Sequence, residues 1–347
     1  MRTSDFDYHL PEELIAQSPA EPRDSSRLLV LNRVTQSLQH RGFRDLLEYL
    51  RPGDLLIANR SRVIPARLLG IKESTGSPVE MLLLRPAPGA RSVHEWDVLL
   101  KPARRLKEGA RIAFGDGALV ATVLSINGLG VRKVRLESEE PLDQVVDRLG
   151  RAPLPPYIHG YTGDPERYQT VYSDVRGSAA APTAGLHFTR ELMARIRQMG
   201  VQIGFVTLHI GIDTFRPVQE EDPTEHPMHR EYYEVPEGVA AQVNAAKAEG
   251  RRVIAVGTTT VRVLESAGVD GEPSSLRVGS GWTELFIYPG YRFKIVDALV
   301  TNFHLPRSTL VMLVSALAGR DNLLHAYREA VEQRYRFYSF GDAMLIV

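Results

Sequence analysis

No cysteine occurs in the 347-residue chain, which removes disulfides, thiolate catalysis and cysteine-ligated zinc from consideration. Nor is there an excess of charge: 42 Lys and Arg offset 42 Asp and Glu, so the chain as a whole carries no nucleic-acid signature. No apolar run approaches the roughly 18 residues that a membrane span needs. The first residues, Met1–Ile15, are acidic where a secretory leader needs a basic region and an apolar stretch, so a cytoplasmic protein is the expectation.

What is present points to a folded protein with two domains. Hydrophobic content of 43% and charged content of 24% are ordinary for a globular chain of this length. Charge is unevenly spread. Arg41, Arg44, Arg51, Arg60, Arg62 and Arg67 lie close together, and Lys101, Arg104, Arg105, Lys107 and Arg111 form a second run whose only acid is Glu108. Such runs mark either a solvated face or a polyanion site, and sequence alone leaves both open.

Residues 1–60 contain a short helix (Leu10–Gln17), a strand (Leu28–Leu31) and an amphipathic helix near Phe43–Leu50. The texture then changes. Short alternating segments at Ala66–Lys72, Val79–Leu84, Trp96–Leu100, Arg111–Phe114, Leu119–Ile126 and Val131–Leu136 are separated by Gly, Pro and Ser, which predicts a small barrel or sandwich. Gly150–Tyr157, with its consecutive prolines, reads as a stiff linker. Mixed α/β pattern follows: a helix capped by Thr189 and stopped at Gly200, a strand Val201–Ile210, a helix Val239–Glu249, a strand Arg252–Val256 and a helix through Glu265. The expected fold is an α/β core (mixed sheet or barrel with helices), residues 1–62 and 151–347, carrying an inserted small all-β barrel, residues 63–150.

Several turns could carry chemistry. Between the predicted strand Ile295–Val300 and an apolar helix from about Leu310 lie Asn302, His304, Arg307, Ser308 and Thr309, with Ser308 or Thr309 suited to capping the helix. Gly257-Thr258-Thr259 opens another helix, where free amides and hydroxyls favour a carboxylate, phosphate or ribose. The small-residue run Ser178–Thr189 contains Gly185, His187 and Phe188 without apolar periodicity, as suits a loop lying on a flat ligand. His209 stands at a strand end, and His229 and Glu231 follow Pro227. That proline argues against two histidines on one helix face, so no metal site is expected. Each turn has a plain structural reading beside the functional one: a capped helix, a buried histidine, a surface His–Glu pair.

Taken together the chain resembles the S-adenosylmethionine:tRNA ribosyltransferase-isomerase family of queuosine biosynthesis. The resemblance runs the full length, through Asp7–Gln17, Ser26–Leu31, Arg62–Leu68, Pro153–Ile158, Tyr168–Tyr172, Ala181–Thr189, Thr214–Val218, His226–Tyr233, Val256–Ser266, Ile287–Lys294, Thr301–Leu310 and Phe340–Leu345. Two departures stand out. This chain has Asn59-Arg60-Ser61-Arg62 where the family usually has Asn-Asp-Thr-Arg, and Asp213-Thr214-Phe215 where it has Gly-Thr-Phe.

The resemblance implies transfer and isomerisation of the ribosyl part of S-adenosylmethionine onto 7-aminomethyl-7-deazaguanine at the wobble position of tRNA. Epoxyqueuosine would form, with adenine and methionine released and no cofactor or metal. That chemistry needs a base for the carbon next to the sulfonium and an acid for the departing adenine, which makes His187, His209, His229 and Glu231 the candidate catalytic groups. The expected S-adenosylmethionine residues are Thr183, Ala184, Gly185, Phe188, Gly211, Thr214, Phe215, Gly257, Thr258, Thr259, Arg262, Tyr288, Asn302 and His304. Phe188, Phe215 and Tyr288 would face the sulfonium, and Gly257–Thr259 or Arg262 the carboxylate. Arg60, Arg62, Arg67, Lys101, Arg104 and Arg105 are expected to hold the tRNA. The expected state is a monomer.

Overall fold

Short runs of aliphatic and β-branched residues make the centre of the larger unit. Leu55–Asn59, Val253–Val256 and Ala298–Asn302 are buried at every position, as strands covered on both faces must be. The structure is a computed structural model describing residues 1–87, 94–126, 131–151, 153–211, 218–228 and 230–347. Contacts divide it into one unit of Met1–Arg62, Pro155–Val175 and Ala181–Val347 and a second of Val63–Leu154 with Arg176–Ala180. The sequence reading assigns 151–154 and 176–180 to the core. In the structure both segments join the smaller unit, where the Arg151 amide donates to the Arg67 carbonyl at 2.9 Å, the Ser178 carbonyl accepts the Ile64 amide at 3.0 Å and Arg176 pairs with Asp147.

The larger unit is built on a nine-stranded mixed sheet. Across it the order is Gly279–Thr283, Glu231–Val235, Gln202–Leu208, Leu55–Asn59, Val253–Val256, Ala298–Asn302, Ala343–Ile346, Arg27–Leu31 and Leu38–Gly42. Gln202–Leu208, Leu55–Asn59, Val253–Val256 and Ala298–Asn302 run parallel, so their carboxyl ends share one edge. In open α/β sheets that edge is where ligands bind. The helix Arg190–Gln198 starts at Thr189, whose hydroxyl accepts the Leu192 amide at 3.0 Å, and buries Leu192, Met193 and Ile196 against the sheet. Thr309–Ala318 starts likewise at Ser308, which accepts the Val311 amide.

The smaller unit is a closed barrel of six antiparallel strands: Val131–Glu137, Glu95–Lys101, Pro78–Pro86, Arg67–Lys72, Arg111–Phe114 and Leu119–Ile126. Alternate residues such as Leu119, Ala121 and Val123 point inward with Leu68, Met81, Val98, Ile112, Phe114, Val134 and Leu136. A helix absent from the sequence reading, Leu142–Leu149, adds Val145 and Val146 to this core. Among the described residues no helix is long and apolar enough to cross a membrane.

Other elements differ in kind or extent. Leu10–Gln17 is only a 3-10 turn at Glu12–Leu14, and Phe43–Tyr49 is a 3-10 helix. The strand expected at Ile295–Val300 is Ala298–Asn302, so Asn302 is the last strand residue rather than part of the turn.

Candidate active site

Where the parallel strands end, the larger unit has a cleft of about 630 Å³, open mouth included. Its floor comes from three strand ends: Ile210 beyond Gln202–Leu208, Gly257–Thr259 beyond Val253–Val256, and Thr301–Leu305 at and beyond Ala298–Asn302. Ala181–Ala184, Tyr157, Ser308, Leu310, Tyr338 and Ser339 complete it. No described Asp, Glu, Lys or Arg lines the cleft. Its recognition groups are hydroxyls, one amide, one imidazole and open backbone.

Gly257 has φ +87°, a left-handed conformation that glycine adopts without strain. A side chain there would find ordinary contacts, with Ala184 Cβ at 3.6 Å, so the backbone angle rather than space calls for glycine. The helix Thr258–Ala267 starts at this residue with no side-chain cap. Its first amides therefore face the cleft unsatisfied by capping, a natural seat for a carboxylate.

Asn302, 2% exposed, links the cleft to His187. Its Nδ2 donates to the Tyr338 carbonyl at 2.9 Å and to His187 Nε2 at 3.3 Å, while Oδ1 is buried without a partner among the described residues. His187 Nδ1 lies 2.8 Å from Ser26 Oγ, and the ring stacks on Phe43. His187 does not line this cleft; it borders a smaller pocket with Arg23, Arg167 and Gly341, and Ser339 lines both. Burial lowers its pKa from 6.5 to about 4, so the ring is neutral near pH 7. His304 does line the cleft. Its Nε2 lies 2.7 Å from Thr301 Oγ1, its amide donates to the Tyr327 hydroxyl, its carbonyl accepts from Tyr8, and burial lowers its pKa to about 3.

The other expected residues separate into groups. Thr183, Ala184, Gly257, Thr258, Thr259, Asn302 and His304 line the cleft. Gly185 lies beneath Tyr172, where a Cβ would come 2.1 Å from the phenol oxygen; Phe188 is in the sheet core, edge-on to Phe43. Both have packing duties that account for their identity. Glu231 and Arg262 form a buried ion pair with each other, and Glu231 also accepts the Gly211 amide at 3.0 Å. Arg262 further holds the Leu285 and Thr283 carbonyls, so neither charge is offered to the cleft. Tyr288 packs edge-on to Phe286 away from the lining. His209 stacks on Tyr232, and its buried Nδ1 has no partner among the described residues. Burial lowers the His209 pKa, with Glu234 opposing. Thr214, Phe215 and His229, together with Asp213, lie outside the described residues.

Sequence reasoning missed Tyr157, Phe303, Tyr338 and Ser339, which supply the aromatic and hydroxyl wall. It also gave no role to Asn59, buried at 0% exposure at the foot of the floor. Among the described residues no cluster of His, Asp or Glu could hold a metal ion.

The arginines expected to meet RNA also divide. In the larger unit Arg60 lies 3.6 Å from Asp174, and Arg62 pairs with Glu166. In the barrel Arg67 is held by Glu80 at 2.7 Å. Lys101, Arg104 and Arg105 are exposed and have no carboxylate partner among the described residues. Their charge is available to a partner.

Comparisons with known proteins bear on this site. A family model described as queuosine biosynthesis protein matches residues 3–346. The S-adenosylmethionine:tRNA ribosyltransferase-isomerase of Symbiobacterium thermophilum is 58% identical over 347 residues, 100% of both chains. Proteins of the same name from Clostridioides difficile and Acetivibrio thermocellus are 53% and 54% identical over 346 residues, again covering 100% of each chain. A crystal structure of S-adenosylmethionine tRNA ribosyltransferase from Thermotoga maritima is 42% identical, covers 99% of this chain and 100% of its own, and superposes with a TM-score of 0.56.

Proposed function

The chain belongs to the queuosine biosynthesis protein family, and we infer that it transfers and isomerises the ribosyl moiety of S-adenosylmethionine onto 7-aminomethyl-7-deazaguanine at the wobble position of tRNA. The products are epoxyqueuosine-tRNA, adenine and methionine. The observation that carries this reading at the level of the site is the uncharged cleft at the strand carboxyl ends, floored by a helix start and walled by aromatic rings.

Each part of S-adenosylmethionine has a complementary surface there. The carboxylate suits the open amides of Thr258 and Thr259. The sulfonium suits the faces of Tyr157 and Tyr338, since a desolvated cation is drawn to an aromatic quadrupole. Thr183, at the edge of the cleft, offers its hydroxyl to the ribose. No step requires a metal or resident cofactor, because the sulfonium is itself the activated leaving group. Burial lowers the pKa of His187, His304 and His209 alike, His187 to about 4 and His304 to about 3, while for His209 the Glu234 carboxylate opposes the shift. His209 Nδ1 has no partner among the described residues, whereas the Glu231 carboxylate is held by Arg262. We therefore assign the acid–base role to His209.

Binding of tRNA is assigned to Lys101, Arg104 and Arg105, those of the six expected cations whose charge no carboxylate among the described residues matches. Chromatography of products after incubation with S-adenosylmethionine and the precursor tRNA tests the activity. Adenine and methionine support it. S-Adenosylhomocysteine would mean methyl transfer, and unchanged substrate would mean binding alone.

A further inference from the structure

The contacts around Asn302 fix which way its amide points. The Tyr338 carbonyl can only accept, so the Asn302 atom 2.9 Å away must be the NH₂ group. The same NH₂ lies 3.3 Å from His187 Nε2, which makes that nitrogen an acceptor. A neutral imidazole accepting at Nε2 carries its proton on Nδ1, and that proton goes to Ser26 Oγ at 2.8 Å. Ser26 passes its own hydroxyl to the Arg23 carbonyl. The chain from Arg23 through Ser26 and His187 to Asn302 has one consistent polarity. It ends at Asn302 Oδ1, a buried acceptor without a partner among the described residues, on a side chain whose residue lines the cleft.

An unsatisfied buried carbonyl in a binding cleft calls for a ligand N–H or O–H. What lies beside it narrows the choice. The Gly257 amide donates to the Val300 carbonyl at 2.8 Å, so the open helix start at Thr258 and Thr259 and the strand end at Asn302 are neighbours across one ladder. An anion seat and a lone acceptor at adjacent strand ends match a carboxylate and an ammonium on one carbon. Among the described residues no acidic side chain lines the cleft, so a neutral oxygen is the acceptor on hand for the ammonium.

We propose that Asn302 Oδ1 receives the α-ammonium of the methionine part of S-adenosylmethionine, and that His187 is a positioning residue which locks the Asn302 amide for that purpose. The proposal rests on the S-adenosylmethionine reading above and assigns the amino-acid end of its site. His187 then acts as a permanent acceptor, and its proton does not move during turnover.

The test compares S-adenosylmethionine with its analogue lacking the α-amino group. The wild-type enzyme is expected to bind the analogue roughly 10-fold or more weakly, because losing the donor leaves a buried carbonyl unpaired. Asn302→Ala should bind both equally. His187→Ala should raise KM for S-adenosylmethionine and shrink the discrimination, while His187→Gln, whose carbonyl can accept from Asn302, should restore both. The shape of the kcat–pH profile should survive in both His187 variants. Equal discrimination by wild type and Asn302→Ala would overturn the assignment. A kcat loss of about 10²-fold or more in His187→Gln, with one limb of the pH profile gone, would make His187 an acid–base group instead. Wild-type enzyme that neither binds S-adenosylmethionine nor releases adenine would refute the functional reading itself; retained adenine release with unaltered discrimination refutes only the role of Asn302.

Discussion

Asn59 and Leu208 exchange two hydrogen bonds at the floor of the cleft: Asn59 Nδ2 donates to the Leu208 carbonyl at 3.0 Å and Oδ1 accepts the Leu208 amide at 3.1 Å. The Asn59 side chain thus behaves as one more peptide in the ladder between two parallel strands. It also accepts the Ser61 amide and reaches Thr259 Oγ1 at 3.4 Å, so a third strand end is tied in. Asn59→Ala would strip partners from buried backbone groups, each worth about 1–3 kcal/mol when left unpaired. Thermal or urea unfolding should show a loss of at least about 2 kcal/mol, together with weaker S-adenosylmethionine binding because Thr259 is no longer held. A variant with unchanged stability would show that the strand ends do not depend on this side chain.

The buried pair Glu231–Arg262 provides a second prediction. Removing one partner leaves the other charge buried and unmatched, which typically destabilises by about 3–5 kcal/mol. Arg262→Leu should therefore lower stability strongly, while kcat per folded molecule changes little. A folded Arg262→Leu protein that has lost S-adenosylmethionine binding would mean that the arginine meets substrate after all.

The barrel cations give a third. Reversing the charge at Arg104 and Arg105 should raise the KM for tRNA and flatten its dependence on salt, leaving the KM for S-adenosylmethionine in place. Glu at Arg67 should do less to tRNA binding, since that guanidinium already faces Glu80. No change in the Arg104 and Arg105 variant would return the cluster to a solvated face.

Acid should destabilise the fold through its buried histidines. Above about pH 6.5 His187 is neutral whether folded or unfolded. Between 6.5 and about 4 the unfolded chain takes up a proton that the buried ring refuses, so stability falls as pH falls through that window. His304 extends the loss to about 3. Tm measured from pH 7 to pH 4 should decline, and His187→Gln should decline less steeply; identical slopes would contradict neutral burial of this ring.

Much of the architecture was legible because its signals are local. Caps at Thr189 and Ser308, the stop at Gly200 and the two-residue alternation of the barrel strands all act within a few residues of themselves. The C-terminal strand Ala343–Ile346 was not legible, because it takes its place between Ala298–Asn302 and Arg27–Leu31 through non-local pairings, Leu299 opposite Ile346 and Leu28 opposite Ala343. Edge strand Leu38–Gly42 is almost wholly exposed and so lacks an apolar face to announce it. In the cleft, Gly257 and Thr258 at a helix start and Asn302 at a strand end have chemistry that is visible in one dimension. Tyr157 and Tyr338 stand side by side only after folding, with ring centroids 4.8 Å apart, and the aromatic cluster Tyr335–Phe340 was the signal that could have pointed to them. Glu231 shows the opposite error: a carboxylate beside a histidine reads as acid–base machinery until its arginine partner, 31 residues away, is seen.

The central claim is that the ribose of S-adenosylmethionine, and no other part of it, ends on the tRNA. S-Adenosylmethionine labelled with carbon-13 throughout the ribose, incubated with the enzyme and precursor tRNA, tests this by mass spectrometry of the digested nucleosides. The account predicts that the wobble nucleoside gains every labelled carbon while the released adenine and methionine carry none. Label in S-adenosylhomocysteine with an unlabelled wobble nucleoside would contradict it.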